Sequence, residues 1–189
     1  MSDQTRLIER LGLACMIAAI LSGVLQGLWE MAHPILVTES TFAASSSAFQ
    51  RWGYGILAVV KSAGFLAGLF GLLMAATNRG LALRIFMGVA VMGGVFFAAV
   101  WLVIAVNGKF TFAYVLGGMW YQMIAPVVLG IAALVRRRVA WWIGVCAIVV
   151  GLLNTQIFVR FVPAVALIVQ GIIWLVLGFT VYISQRRAR

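Results

Sequence analysis

Apolar runs of about 20 residues recur along this chain of 189 residues and constrain its fold more than any other feature. A helix needs about 20 apolar residues to cross a bilayer core about 30 Å thick. The chain is 65% hydrophobic and 10% charged, whereas a soluble domain is about half apolar and about a quarter charged. We therefore predict an all-α polytopic membrane protein, with residues 1–189 forming a single transmembrane helical domain.

The apolar runs predict a bundle of six transmembrane helices joined by mostly short connections. The predicted spans are Leu7–Trp29, Tyr54–Thr77, Leu81–Val106, Phe112–Val135, Val139–Phe158 and Ala164–Ser184. The first run is longer than the roughly 7–15 apolar residues of a signal peptide, so we expect it to be an uncleaved helix. The turns Asn78–Gly80 and Arg136–Arg138 are so short that the helices they join must be antiparallel neighbours.

Basic residues predict the orientation, because cytoplasmic loops of membrane proteins are enriched in lysine and arginine. If both termini are cytoplasmic, ten of the fourteen basic residues lie on the inner side. These ten are Arg6, Arg10, Arg79, Arg84, Arg136, Arg137, Arg138, Arg186, Arg187 and Arg189. We therefore predict a multi-pass membrane protein with both termini in the cytoplasm. Topology explains the net charge of +10, and we expect the lipid bilayer, not nucleic acid, as the partner of these residues.

The segment Met31–Gly53 is predicted to be the one long loop, and it lies on the outer side. Pro34 disfavours continuation of the first helix. Between Ser40 and Gly53 a short helix capped by Ser40 or Thr41 is expected to lie in the membrane interface. Two roles stay open for this loop, a lid over a site and a passive connector.

Strong polar side chains within the predicted spans collect in the outer half of the bundle. Because polar groups facing lipid are unfavourable, we expect them to face one another or water. The candidate ligand-binding residues are Gln26, Glu30, Lys61, Trp120, Gln122, Asn154 and Gln170. They predict an outward-facing polar cavity.

Lys61 and Glu30 come from consecutive helices and are predicted to form an ion pair at the mouth of this cavity. Three alternatives stay open: Lys61 extends to the outer headgroups, Glu30 is solvated, and the amides only bond neighbouring helices. Pro126 is expected to bend the fourth helix beside Gln122, because proline frees the carbonyl four residues earlier.

Small residues predict where helices approach closely. Gly64 and Gly68 form a GxxxG step on the second helix, on which another helix can lie. Cys15 and Cys146 both fall within apolar runs, and we expect each to act as a small apolar side chain.

The residues needed for most intramembrane catalysis are missing from the sequence. It has four acidic residues and one histidine, His33, so neither a carboxylate pair within the membrane nor a zinc site is expected. We predict a protein that is not an enzyme, with no metal and no cofactor.

Two stretches carry a resemblance to known proteins. LGLACMIAAILSGVLQGLWEMAHP and GFLAGLFGLLMAA with a basic turn after it resemble small bacterial six-helix integral membrane proteins of unknown function, over about the first hundred residues. That resemblance implies a multi-pass protein of the bacterial inner membrane, and it implies no activity. In size and predicted architecture the chain is also similar to substrate-binding subunits of energy-coupling-factor transporters. Such subunits dock through an AxxxA face on the first helix, which Ala14, Ala18 and Ser22 would provide here.

The sequence thus predicts a non-enzymatic membrane protein that binds or transports a small or lipidic ligand through the outer cavity. The alternative is a structural or accessory subunit that binds a membrane protein partner, or a second copy of itself, through its helix faces.

Overall fold

The computed structural model describes residues 3–32, 47–76, 80–109, 112–153 and 163–184, without the side chains of 112–119 and of Pro163. Within these ranges the ordered elements are helices and there is no strand. They are α1 (Asp3–Ala32), α2 (Ala48–Ala76), α3 (Leu81–Asn107), α4 (Phe112–Arg136), α5 (Trp141–Leu153) and α6 (Pro163–Ser184). The predicted all-helical class is confirmed.

Four of these helices, α1, α2, α3 and α6, are long and apolar enough to cross a membrane. Two shorter apolar helical stretches, Trp120–Arg136 in α4 and Trp141–Leu153 in α5, accompany them. The bounds of α3 and α6 agree with the predicted spans to within one residue at each end. For α5, the part of the predicted span after Leu153 lies outside the described residues.

Contacts across the bundle give the helix directions. Along α1, Gly12 lies against Gly178 and Gly23 lies against Gly171, so α1 and α6 run antiparallel. The contacts between α2 and α6 follow the same order along both helices: Lys61 meets Gln170, and four residues later Phe65 meets Trp174. The helices α2 and α6 are therefore parallel, and both begin at the end of the bundle where α1 finishes.

We call that end, beside Glu30, the Glu30 end. The opposite end carries Arg6 and Arg10 at the start of α1, Arg84 at the start of α3 and Arg136 at the end of α4, and we call it the basic end. Arg137, just after α4, has a positive φ of 51° that turns the chain toward α5.

The long loop is shorter than predicted, because α2 begins at Ala48 and not at Tyr54. Ser47 and Gln50 explain this start: the Ser47 N–H donates to Gln50 Oε1 at 2.8 Å, and the Gln50 N–H donates to Ser47 Oγ at 3.2 Å. This reciprocal pair is a capping box, which satisfies N–H groups at a helix start. The sequence contains the serine and glutamine at the required spacing, and the prediction overlooked them. Ser40 and Thr41, the predicted caps, lie outside the described residues.

A π-helical segment, Ile20–Leu25, interrupts α1. Such segments widen a helix locally and are frequent at functional sites. Ser22 within it is buried and donates to the Ala18 carbonyl at 2.6 Å. Gly23, the next residue, lies against Gly171 so closely that a Cβ on it would overlap the α6 backbone. The irregular turn of α1 therefore sits where α1 and α6 are in closest contact.

Candidate functional site

Lys61 lies two turns into α2 from Tyr54 and is buried, with only 5% of its surface exposed. Its Nζ donates a hydrogen bond to Gln170 Oε1 of α6 at 2.5 Å. The same ammonium lies 5.7 Å from the centre of the Phe65 ring and 5.8 Å from that of Phe97. Both distances lie within the range of a cation–π interaction, so the aromatic rings replace part of the lost hydration.

An aromatic shell surrounds this ammonium group. Phe65 stacks on Trp174 of α6 with ring centres 4.2 Å apart and planes 11° from parallel. Phe97 of α3 packs edge-on to Tyr121 of α4 at 6.2 Å. Side chains from four helices thus hold Lys61 inside the bundle. The alternative in which Lys61 extends to the lipid headgroups is wrong.

The predicted ion pair between Lys61 and Glu30 does not form. Glu30 is 6% exposed and accepts a hydrogen bond from the Tyr54 hydroxyl, with Gln26 beside both groups. Glu30 and Lys61 still act on each other electrostatically. The reason lies in the register: Tyr54, about two turns into α2 from Ala48, faces Glu30, and Lys61 lies two turns deeper beside Gln170. The alternative of a solvated Glu30 is also wrong.

A second polar cluster lies on the α4 side of Lys61. The Tyr121 hydroxyl donates to Ser62 Oγ at 3.2 Å and accepts from Gln122 Nε2 at 2.9 Å. All three side chains are buried. This cluster ties α4 to α2 next to the lysine, and it brings the predicted residue Gln122 into the same region.

Two buried donors beside Lys61 have no acceptor among the described residues. They are Nε2 of Gln170 and Nε1 of Trp174, which lie one turn apart on α6. The side chains are 3% and 0% exposed. A buried donor without an acceptor costs about 1–3 kcal/mol, so such groups mark a place where a water molecule or ligand can bind. We call these two groups and the Lys61 ammonium the donor cluster: Gln170 contacts Lys61 directly, and Trp174 stacks on Phe65, whose ring lies beside the ammonium.

The remaining predicted site residues have different outcomes. The Trp120 indole covers Gly93 of α3, and Trp120 points away from Gln122 because the two are about 200° apart around the helix. Asn154 lies outside the described residues. The helix α4 continues through Pro126, and the predicted bend stays a prediction.

Sequence reasoning missed the aromatic residues of the site, above all Tyr54 and Trp174. A signal was present: Phe65 lies four residues after Lys61, and Trp174 four residues after Gln170, so each pair shares a helix face. Tyrosine and tryptophan in an apolar run also carry a polar group that requires a partner when buried.

The predicted roles of the small residues are tested by the packing of α1. Gly64 lies against Ala14 and Ala18 of α1, which confirms the GxxxG step on α2 as a close helix contact. In the predicted AxxxA docking face, Ala18 and Ser22 are buried within the bundle and only Ala14 is exposed; docking of a partner there stays a prediction. Cys15 is buried beside Gly68 and Cys146 is partly buried; both are free thiols.

The described residues contain no group of three or more histidine, cysteine, aspartate or glutamate side chains that could hold a metal ion. Comparison with protein-family models, curated proteins and solved structures finds no match to this chain.

Proposed function

We propose that the protein is a non-enzymatic bacterial inner-membrane protein that binds a small or lipidic ligand at Lys61, as a transporter or a binding subunit. The observation that carries this proposal is the buried Lys61 ammonium beside two buried donors, Gln170 Nε2 and Trp174 Nε1, that have no acceptor among the described residues. Ionisable groups within membrane helices are costly and commonly mark substrate paths.

The chemistry of the cluster indicates the kind of ligand. Every free group in it is a donor, so the ligand should present an oxygen that accepts hydrogen bonds, such as a carboxylate, a phosphate or a carbonyl. The rings of Phe65, Phe97 and Trp174 provide an apolar lining beside these donors. A molecule with an acidic or carbonyl head and an apolar body fits both features.

Six membrane crossings, with both termini in the cytoplasm, form part of the proposal. The parallel α2 and α6, the antiparallel α1 and the arginines at the basic end support it. Reporter fusions after Arg138 and Arg189 should report the cytoplasm, and fusions near Ser46 and Lys109 should report the outer side. A periplasmic C-terminus would refute this orientation.

Native mass spectrometry of the protein after mild detergent extraction tests the ligand. We expect a copurified small molecule on the wild type, its loss from Lys61→Met and Trp174→Phe, and its retention on Lys109→Met. Lys109 is a matched control, because it is an exposed lysine outside the helices. A molecule retained by Lys61→Met, or its absence from the wild type, would refute binding at Lys61. A stable protein partner in place of a small molecule would support the accessory-subunit alternative.

A further inference from the structure

Two buried groups of opposite charge lie in the region of the donor cluster. Glu30 near the end of α1 is 6% exposed, and Lys61 within α2 is 5% exposed. The two groups act on each other electrostatically, although no hydrogen bond joins them. Their charges sum to zero, both when each group is charged and when a proton has passed from Lys61 to Glu30. An incoming ligand therefore meets a site with no net charge and not an isolated cation.

Other charged side chains among the described residues lie far from Lys61. Arg51 is ten residues earlier, about 15 Å along α2, near the start of that helix. The charged residues of α3 and α4, Arg84 and Arg136, lie at the basic end, and α6 has no charged side chain between Ala164 and Ser184. Glu30 is therefore the group that balances the charge of Lys61.

The position of Glu30 is fixed by its neighbours. The Tyr54 hydroxyl donates to it, and the Tyr54 ring stacks on Trp101 of α3 with ring centres 5.7 Å apart. One turn earlier on α1, Gly27 lies against α6, where a Cβ on it would come 2.5 Å from Ile168 Cγ1. Movement of the carboxylate into solvent would break these contacts. Its charge therefore stays with the site when a ligand enters, and it acts on the ligand without having to touch it.

We propose that the ligand of the donor cluster has an uncharged carbonyl head, such as an amide or an ester, and that Glu30 disfavours anionic heads; this rests on the proposed binding of a ligand at Lys61. A carbonyl oxygen accepts a hydrogen bond from Gln170 Nε2 or Trp174 Nε1 and adds no charge. A carboxylate or phosphate would give the buried site a net negative charge near Glu30, and an uncompensated buried charge is costly. Of the acidic and carbonyl heads that donors can bind, the site therefore selects the carbonyl.

Two probes with the same alkyl chain test this selectivity: dodecanamide, with an uncharged carbonyl head, and dodecanoate, with a carboxylate. Titrations followed by native mass spectrometry measure both affinities in one detergent, at a pH where dodecanoate is ionised, with a correction for the partition of each probe into micelles. We expect the wild type to bind dodecanamide about tenfold more tightly. One charge within about 10 Å has an effect of this order at an effective dielectric constant of about 20. Equal affinities, or a preference for dodecanoate, would overturn the proposal.

Substitution of Glu30 tests the cause of the preference. Glu30→Gln removes the charge and keeps the size of the side chain, so it should shift the preference about tenfold toward dodecanoate. The matched control Glu9→Gln removes one carboxylate at the basic end and should leave the preference unchanged. Because the same micelles surround each protein, a change in preference between variants is free of partition effects. An unchanged preference in Glu30→Gln, or an equal shift in Glu9→Gln, would refute the role of Glu30.

Lys61→Met separates this proposal from the proposed function, because it should lose both probes if the ligand binds at Lys61. Loss of both probes, together with a wild-type preference for dodecanoate, would overturn the uncharged head alone. Failure of the wild type to bind either probe, or retention of both by Lys61→Met, would contradict binding at Lys61 and with it the selectivity assigned to Glu30. The wild-type comparison needs no variant, so it decides the proposal even if Glu30→Gln does not fold.

Discussion

The helix α6 meets two neighbours in opposite ways. Toward α1 it presents Gly171 and Gly178, and the helices touch through their backbones. Toward α2 it presents Gln170 and Trp174, and the contact is a hydrogen bond and a stacked ring pair. The first interface fixes how close two helices lie, and the second places a charge in the bundle. We infer that the glycine interface provides the scaffold and that the polar interface provides the site.

The largest expected effect comes from the glycine interface. Gly23→Ala would place a methyl group into the Gly171 backbone, so the two helices must separate. We expect the free energy of unfolding to fall by about 3 kcal/mol, the upper end of the usual range for overpacking. The control is Gly88→Ala, because a Cβ at Gly88 meets nothing within 4 Å, and it should be neutral or slightly stabilising. Unfolding in one detergent measures both, and equal effects would contradict the scaffold role.

A smaller loss is expected at the polar interface. Lys61→Met leaves the Gln170 Oε1 acceptor without its donor, which costs about 1–3 kcal/mol in a buried site. Lys109→Met, at an exposed lysine, should stay within about 0.5 kcal/mol of the wild type. If Lys61→Met is as mild as Lys109→Met, the polar interface contributes nothing to folding and its role is restricted to ligand binding.

The contact between α1 and α2 offers a test by compensation. A Cβ on Gly68 would lie 2.5 Å from Cys15 Sγ and 3.1 Å from Cys15 Cβ. Gly68→Ala should therefore cost about 1–2 kcal/mol, and Cys15→Ala in the same chain should recover part of that loss by removing the sulfur. Cys146→Ala should not recover it. Recovery by neither or by both would show that Cys15 does not limit this contact.

The prediction that both cysteines are small apolar side chains has the smallest expected effect. Cys15→Ala alone should lower the free energy of unfolding by at most about 2 kcal/mol. Cys146→Ala should lower it by less, because Cys146 is only partly buried. Ligand retention by native mass spectrometry should be unchanged in both variants. Loss of the ligand from a folded Cys146→Ala protein would contradict this interpretation.

The two interfaces also differ in how far the sequence predicts them. Apolar length and small-residue spacing are local patterns, so the helices and the Gly64 contact follow from the sequence. The partner of Lys61 depends on the register between helices that are distant in the chain: a shift of two turns along α2 separates Tyr54, which reaches Glu30, from Lys61, which reaches Gln170. Depth alone placed Lys61 and Glu30 together, and it could not show which of several amides and hydroxyls would intervene.

The central claim is that Gln170 is the direct partner of the buried Lys61 and that Glu30 is not. A double-mutant cycle of Lys61→Met and Gln170→Leu, with a second cycle of Lys61→Met and Glu30→Gln, tests it through the free energy of unfolding in one detergent. We predict a coupling of about 1–2 kcal/mol between Lys61 and Gln170 and a smaller one between Lys61 and Glu30. Additive effects in the first cycle, or a larger coupling in the second, would contradict this assignment.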